Sequence, residues 1–141
     1  MINAIHIALS GLLASQSRAG ASASNIANMT TSGSLTDSEN PPYKAVTTVQ
    51  EAVAGGGSGP GETGGGVRAA VVPARTPFVP AYSPDSPFAD ERGMIGVPNV
   101  DLAAEAVNLN LAEISFRANF KVIEKANEMT DALLRSFDRK V

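Results

Sequence analysis

The chain has 141 residues, a formal net charge of −3 and no cysteine or tryptophan, and 5% of its residues are aromatic. The lack of cysteine excludes a disulfide framework, a thiolate metal site and a cysteine nucleophile. No segment has the basic footprint of a nucleic-acid-binding protein. Much of the apolar content is alanine, which buries little area per residue, so a large self-sufficient core is not expected.

The first thirty residues contain one charged side chain, Arg18, and are predicted to form a helix. Gly11 and Gly20 each cost about 1 kcal/mol relative to alanine in a helix, so this helix should be unstable alone. No basic residue precedes the apolar stretch, which is too short to span a bilayer, so neither a cleaved signal peptide nor membrane insertion is expected. A heptad seam for a partner helix is indicated by apolar residues at steps of three and four: Ile2, Ile5, Leu9, Leu12, Ala19, Ala23 and Ile26.

The middle of the chain, residues 31–99, is predicted to be a small region of strands and loops. Residues 43–53 alternate weakly, and residues 67–75 have a composition typical of a short strand. The glycine-rich tract 55–66 between them holds 8 of the 13 glycines and is predicted to be a flexible loop. Prolines recur over residues 73–98, which are expected to be extended or turned chain.

The last forty residues are predicted to form a second long helix, which Asn99 or Asp101 can cap and which no glycine or proline interrupts. Its apolar residues cover an arc much wider than one partner helix can bury. Unburied apolar faces of this kind are typical of subunits that depend on assembly. The predicted fold is mainly α with a small β region. Residues 1–30 and 100–141 are expected to form one helical domain, in which the two terminal helices pack as a coiled-coil-like pair. The middle region between them is expected to be extended and rich in strands and loops.

Residues that could carry chemistry lack the partners that chemistry needs. His6, the only histidine, has no acidic residue within thirty positions, whereas a general base or metal ligand needs a positioned partner. The stretch 61–66 lacks the Lys-Ser/Thr ending of a phosphate loop. Asp85, Asp90 and Glu91 do not have the alternate spacing of a calcium loop. We therefore expect no enzyme activity, no metal site and no cofactor.

Three blocks of sequence together resemble the bacterial flagellar basal-body rod family. The blocks are Ser10-Gly11-Leu12 with Asn25-Ile26-Ala27-Asn28, then Pro42-Tyr43-Lys44, and finally Pro98-Asn99-Val100-Asp101. The short length and the arrangement of the middle region are most similar to the proximal-rod members of that family. Ser86 and Met94 stand where the family tends to have a histidine and an aromatic residue.

This resemblance implies a structural subunit of the proximal rod, which stacks helically with other rod proteins and with copies of itself and transmits torque across the periplasm. It further implies export through the flagellar type III apparatus without a cleaved signal peptide, and a place in the basal-body rod that spans the periplasm. Ser10, Gly11 and Ala14 are small enough to allow close approach of a neighbouring helix.

The assembly interface is expected to consist of large apolar residues on the two terminal helices, which pack on each other and present their remaining faces to adjacent subunits. They are Ile2, Ile5, Leu9, Leu12 and Ile26 on the first helix, and Phe116, Phe120, Ile123, Leu133, Leu134 and Phe137 on the second.

Other functions stay open on the residues alone. Another axial protein of the rod and hook family would share the terminal helices and differ in the middle. A small secreted binding protein or enzyme outside the flagellum would need a pocket with convergent polar groups. A membrane-surface protein would need a Lys/Arg-rich polar face, which the N-terminal stripe lacks.

Overall fold

The computed structural model describes residues 2–54 and 65–138. Two long helices, α1 (Ile2–Ala27) and α2 (Leu102–Asp138), stand at the ends of the described chain. Between them are four short strands: β1 (Val46–Val53), β2 (Gly66–Pro73), β3 (Phe78–Tyr82) and β4 (Met94–Pro98). The predicted fold class, mainly α with a small β region, is confirmed. Residues 55–64, most of the predicted glycine-rich loop, lie outside the described residues. The division into one helical domain, residues 1–30 and 100–141, and a middle region, residues 31–99, stays a prediction.

The four strands form two antiparallel hairpins of two strands each. In the first, Val46 of β1 lies opposite Pro73 of β2, and in the second, Phe78 of β3 lies opposite Pro98 of β4. Each strand pairs with one other strand, so prolines are tolerated because their missing N–H groups can face away from the ladder. The proline-rich stretch expected to be extended chain therefore contributes a second hairpin.

A tight turn before β4 depends on Asp90 and Gly93. The Gly93 N–H donates to the Asp90 carbonyl at 2.9 Å, with Gly93 at φ 75°, a conformation that favours glycine. The Asp90 carboxylate accepts hydrogen bonds from the backbone N–H groups of Met94 and Arg92, both at 2.8 Å. The Met94 hydrogen bond, together with the N–H and charge of Arg92, holds the pKa of Asp90 below its ordinary value. The Asp90 carboxylate thus stabilises the turn through two backbone hydrogen bonds.

The segment that leaves α1 packs against β4 through two glycines. Gly33 and Gly96 exchange backbone hydrogen bonds of 3.0 and 2.8 Å. A Cβ on Gly33 would lie 2.4 Å from the Pro41 carbonyl carbon, and one on Gly96 would lie 2.7 Å from the Pro42 ring. Only glycine fits at both positions, so the second hairpin is tied to the chain that follows α1.

Helix α2 begins at a side-chain cap. The Asp101 carboxylate accepts hydrogen bonds from the N–H groups of Ala103 at 2.9 Å and Ala104 at 3.3 Å. These bonds satisfy donors that have no partner within the helix. Of the two predicted caps, Asp101 is therefore the one used. Asn99 instead donates its side-chain amide to the Thr76 carbonyl at 3.1 Å and joins the start of α2 to the second hairpin.

Helix α1 lies between α2 and the first hairpin, since it contacts α2, β1 and β2. The buried apolar residues are small, apart from one isoleucine: Ala8, Ala14, Ala21, Ala45, Ile95, Ala112 and Ala126. Because each alanine removes little apolar surface from water, burial within the chain contributes modestly to its stability. The long helices are packed by close approach and hydrogen bonds more than by bulky side chains.

Candidate assembly surface

The two helices meet along stripes of small and polar residues. Both stripes advance by steps of three and four, which keeps one side of each helix turned toward the other. On α1 the stripe consists of Ala8, Gly11, Ser15, Arg18, Ser22 and Asn25. On α2 it consists of Glu105, Asn108, Ala112, Ser115, Asn119, Ile123, Ala126 and Thr130, all buried or half-buried.

This seam lies one residue before the apolar stripe that the sequence predicted on α1. One residue turns the direction of a side chain by about 100° around the helix. Leu9 is consequently 45% exposed, and Leu12 is half-buried at the edge of the contact. The expectation that large apolar side chains of α1 fill the contact between the helices was wrong, whereas Ile123 of α2 does lie on the contact stripe. Alanine, glycine and serine take that place because they let the two backbones come close together.

The Ser10-Gly11 block sits where α1 meets both of its neighbours. A Cβ on Gly11 would lie 2.5 Å from the Asn119 side chain of α2, so glycine permits the close approach that was expected there. Ser10 faces the first hairpin, where its hydroxyl accepts a hydrogen bond from the Val67 N–H at 3.0 Å. A Cβ on Gly66 would lie 2.5 Å from that same hydroxyl oxygen. This block therefore sets the spacing of α1 to α2 and to β2.

Asn25 is the best-connected buried side chain of the pair. It is less than 2% exposed, and its amide donates to the Val46 carbonyl at 2.7 Å and to a Glu105 carboxylate oxygen at 2.6 Å. Its carbonyl oxygen accepts hydrogen bonds from the Val46 N–H at 2.9 Å and the Tyr43 hydroxyl at 3.1 Å. One side chain thus joins the end of α1, the start of β1 and the first turns of α2.

The rest of the family blocks have local roles. The Asn28 side-chain amide donates to the Ser24 carbonyl at 2.9 Å, and the same carbonyl accepts the Asn28 backbone N–H at 3.1 Å. Ala27 is exposed, Ile26 and Val100 are half-buried, and Pro98 is buried in β4. These blocks position the helices relative to the hairpins. The sequence identified these blocks but did not predict the hydrogen-bond network of Asn25. The available signal was a polar residue next to the predicted apolar stripe of α1.

Most of the predicted interface residues are exposed to solvent. Ile5, Ile26 and Ile123 are half-buried. The side chain of Ile2 is outside the described part of the structure. Leu9 is the exposed member on α1, and the exposed members on α2 are Phe116 at 44%, Phe120 at 54%, Leu133 at 46%, Leu134 at 61% and Phe137 at 65%. They are unburied in the single chain, and their place in an interface stays a prediction.

Further large apolar residues are exposed on the same helices. Sequence reasoning left them out of the interface because it assigned that role to the stripe expected to face the partner helix. They are Ile7 and Leu13 on α1, and Leu102, Val107, Leu111, Ile114, Val122 and Met129 on α2. Ile114 is 63% exposed and Leu13 is 57% exposed. Exposed apolar side chains therefore occur along both helices.

A groove of about 800 Å³ lies between the two helices on one side of the seam. Its α1 wall includes Gln16 and Ala19, and its α2 wall includes Leu109 and Phe116. Glu113 and Arg117 of α2 also line the groove and form an exposed ion pair with each other. Grooves between paired helices are a common place for a third helix to pack.

The charged face of α2 is paired within itself. Lys121 contacts Glu124, and Lys125 contacts Glu128, both at 2.6 Å and both exposed to solvent. The Lys121 hydrogen bond lowers the pKa of Glu124, and the Glu128 hydrogen bond raises the pKa of Lys125. Such exposed pairs stabilise a fold little. From Glu113 to Glu128, each charged side chain of α2 therefore has an oppositely charged partner.

Within residues 2–54 and 65–138, no group of three or more His, Asp or Glu side chains is placed to hold a metal ion. None of the helices in that part of the chain is long and apolar enough to cross a membrane.

Several known proteins are similar to this chain over nearly its whole length. A family model described as the C-terminal part of the flagellar basal body rod FlgEFG proteins matches residues 91–136. The flagellar basal-body rod protein FlgC of Salmonella typhimurium and that of Escherichia coli are each 35% identical over 92% of this chain and 92% of their own length. FlgC of Aquifex aeolicus is 33% identical over 92% of this chain and 91% of its own.

The paired terminal helices, their exposed apolar faces and these matches define a structural protein of the flagellar basal body, which is not a class of enzymes. The chain belongs to the FlgC family of flagellar basal-body rod proteins. The predicted resemblance to proximal-rod proteins is thereby confirmed.

Proposed function

We propose that this chain is a structural subunit of the proximal rod, which assembles helically with copies of itself and with other rod proteins and transmits torque across the periplasm. The observation that carries the proposal is the exposure of large apolar side chains along both terminal helices. Fourteen such residues of α1 and α2 are each more than a third exposed. Neighbouring subunits would bury them.

The total surface of the chain supports dependence on neighbours. It exposes 9672 Å² to solvent. A compact protein of 14.5 kDa is expected to expose about 6,900 Å². Apolar area removed from water stabilises an assembly by about 25 cal/mol per Å², so covering the helix faces would supply burial that the alanine-based core does not.

Within this role, residues 1–30 and 100–141 would form the helical assembly domain. Residues 31–99 would form a β-rich arm that carries the loop 55–66. Export would proceed through the flagellar type III apparatus without a cleaved signal peptide. A small alanine core suits a chain that must unfold for export. The lack of cysteine means that the chain cannot form disulfide cross-links when it enters an oxidising compartment. No catalysis, cofactor, nucleic acid or membrane insertion belongs to this function.

A matched pair of aromatic substitutions tests the proposed surface. Phe120→Asp changes a 54% exposed residue of α2, and Tyr82→Asp changes a 72% exposed residue of the second hairpin. Both purified variants should keep the far-UV circular dichroism of the unchanged chain. In cells that lack the gene, Tyr82→Asp should restore rods and swimming, whereas Phe120→Asp should not. Normal swimming and complete basal bodies with Phe120→Asp would overturn the proposed surface.

A further inference from the structure

A cleft of about 400 Å³ lies where α1, α2 and the first hairpin meet, and we call it the Arg18 cleft. Polar side chains from all three elements line it: Arg18 from α1, Gln50 from β1, and Ser115 and Asn119 from α2. Among the described residues, no aspartate or glutamate lines this cleft. A concave site with a few convergent polar groups is the usual form of a small ligand site.

Arg18 brings a positive charge to this cleft. It is the only Lys, Arg, Asp or Glu of α1, and it is half-buried. Within residues 2–54 and 65–138, its side chain makes no ion pair and no hydrogen bond. A guanidinium group pairs best with an anion that accepts two parallel N–H···O bonds, and partial removal from water strengthens such a pair. The donors of Arg18 are therefore available to an anionic ligand.

The acid of the helix seam, Glu105, is held by other partners. Its carboxylate accepts hydrogen bonds from the side chains of Asn25 at 2.6 Å and Asn108 at 3.4 Å. Arg18 lies seven residues before Asn25, or about 10 Å along α1. Glu105 lines a neighbouring cleft of about 270 Å³, on whose wall Arg18 also lies. Arg18 thus stands between a cleft with an acid and a cleft without one, and the two residues form no ion pair.

Neutral donors complete the Arg18 cleft. The Asn119 amide donates to the Ser115 carbonyl at 2.8 Å, and an amide has a second N–H to offer. The side-chain amide of Gln50 makes no hydrogen bond to any described residue. One cation with neutral donors compensates a single negative charge, and a second charge would be left unpaired in a partly buried site. A carboxylate has one charge, and its two oxygens match the fork of a guanidinium group.

We propose that the Arg18 cleft binds a carboxylate group, with Arg18 as the bidentate donor and Gln50 as a further donor. An acidic side chain of another protein chain and a small free carboxylic acid both supply this chemistry. The site belongs to the single folded chain. It therefore goes beyond the proposed function and is tested without the rod.

Sodium acetate is the probe for the purified full-length chain. The NMR signal of the Arg18 Nε–H group should move to a saturating value as acetate is added, and sodium chloride at the same ionic strength should move it little. Sodium sulfate should bind more weakly than acetate because of its second charge. An Arg18 signal that responds to acetate no more than to chloride would overturn the inference, as would tighter binding of sulfate.

Substitution of the arginine gives an independent test, read from the side-chain amide signals of Asn119. Arg18→Gln should weaken acetate binding at least about tenfold, because it removes the charge-assisted hydrogen bonds. Arg75→Gln is the matched control, since Arg75 is exposed and has no ion pair in the described part of the chain. It should leave acetate binding unchanged. Equal binding by the two variants would overturn the inference.

A substitution on the hairpin keeps the test decisive if Arg18→Gln does not fold. Gln50→Glu places a carboxylate of the chain itself in the cleft, so it should weaken acetate binding at least about tenfold. Gln50 is exposed, and far-UV circular dichroism should show an unchanged fold. Gln16→Glu makes the same change on an exposed residue of α1 outside the Arg18 cleft and should bind acetate as the natural chain does. Unchanged acetate binding by Gln50→Glu would overturn the inference.

Cells that lack the gene distinguish the two sources of the carboxylate. If the ligand is an acidic side chain of a neighbouring chain, Arg18→Gln should give fewer complete rods than Arg75→Gln. If the ligand is a small free acid, the two variants should give equal numbers of rods. The acetate titrations alone decide whether the site exists. Their failure leaves the proposed function standing, which fails only if complete rods form without the chain.

Discussion

Replacing Asn25 by alanine removes the side chain that joins α1, α2 and β1. It would leave both backbone groups of Val46 and an oxygen of the Glu105 carboxylate without the hydrogen bonds that they make to Asn25. Each buried polar group left unsatisfied costs about 1–3 kcal/mol. For these groups together, with some access of water, we expect a loss of about 3–5 kcal/mol in the free energy of unfolding. That is a large fraction of the roughly 5–15 kcal/mol that stabilises a typical domain.

Urea unfolding followed by far-UV circular dichroism measures this loss. Asn28→Ala is the matched control, because it makes the same substitution three residues away. Asn28 is half-buried, and its amide donates to the Ser24 carbonyl at the end of α1. We expect that control to cost about 1 kcal/mol or less. If Asn25→Ala were no more destabilising than Asn28→Ala, the network around Asn25 would not hold the helices as described.

The remaining predictions concern two glycines, a helix cap and a turn. Gly20→Ala should raise the free energy of unfolding by about 0.5–1 kcal/mol, because a Cβ there meets nothing within 4 Å. Gly11→Ala should fall short of that gain, since the new Cβ collides with Asn119. Asp101→Ala should cost about 0.5–2 kcal/mol through loss of the α2 cap. Asp90 has a pKa below its ordinary value, so its contribution to the turn should be present above the unfolded pKa of about 3.9 and be lost as the pH falls through the lower folded value.

These predictions are checked by urea unfolding for the helices and by amide exchange for the turn. A gain at position 11 equal to that at position 20 would contradict the close contact between the helices. Asp85→Ala, on an exposed turn, is the control for Asp101→Ala, and equal effects would exclude capping. The protection factor of the Met94 amide should fall in acid for the natural chain. In Asp90→Asn, which has no carboxylate at this position, the protection factor should stay the same over that pH range. Identical pH profiles for the two chains would refute the role of Asp90.

The sequence predicted the two helices and the cap of the second, but it assigned the wrong side of α1 to the seam. A heptad of leucines and isoleucines is a strong signal, and it normally faces the partner helix. Here Ala8, Ser15 and Ser22 occupy that position, and these residue types carry almost no signal in a hydrophobic pattern. In a subunit built to assemble, large apolar residues can be kept for contacts with other chains. The pattern alone does not distinguish a partner within the chain from one outside it.

The middle region was predictable in outline only. Weak alternation correctly indicated β1, and a composition typical of a strand indicated β2. The prolines hid the pairing of β3 with β4, because a residue without an N–H group is a poor signal for a strand. Asn25 was visible as part of a family block, yet its partners Tyr43 and Val46 depend on how the first hairpin docks on α1. That docking is a tertiary arrangement, which a local pattern does not encode.

The central claim is that the chain is a required structural subunit of the basal-body rod. The most direct measurement is electron microscopy of basal bodies from cells that lack its gene, with and without the natural chain supplied in trans. The claim predicts basal bodies that stop at an early stage of the rod, with complete rods and swimming restored by the supplied chain. Complete rods in cells that lack the chain would contradict it.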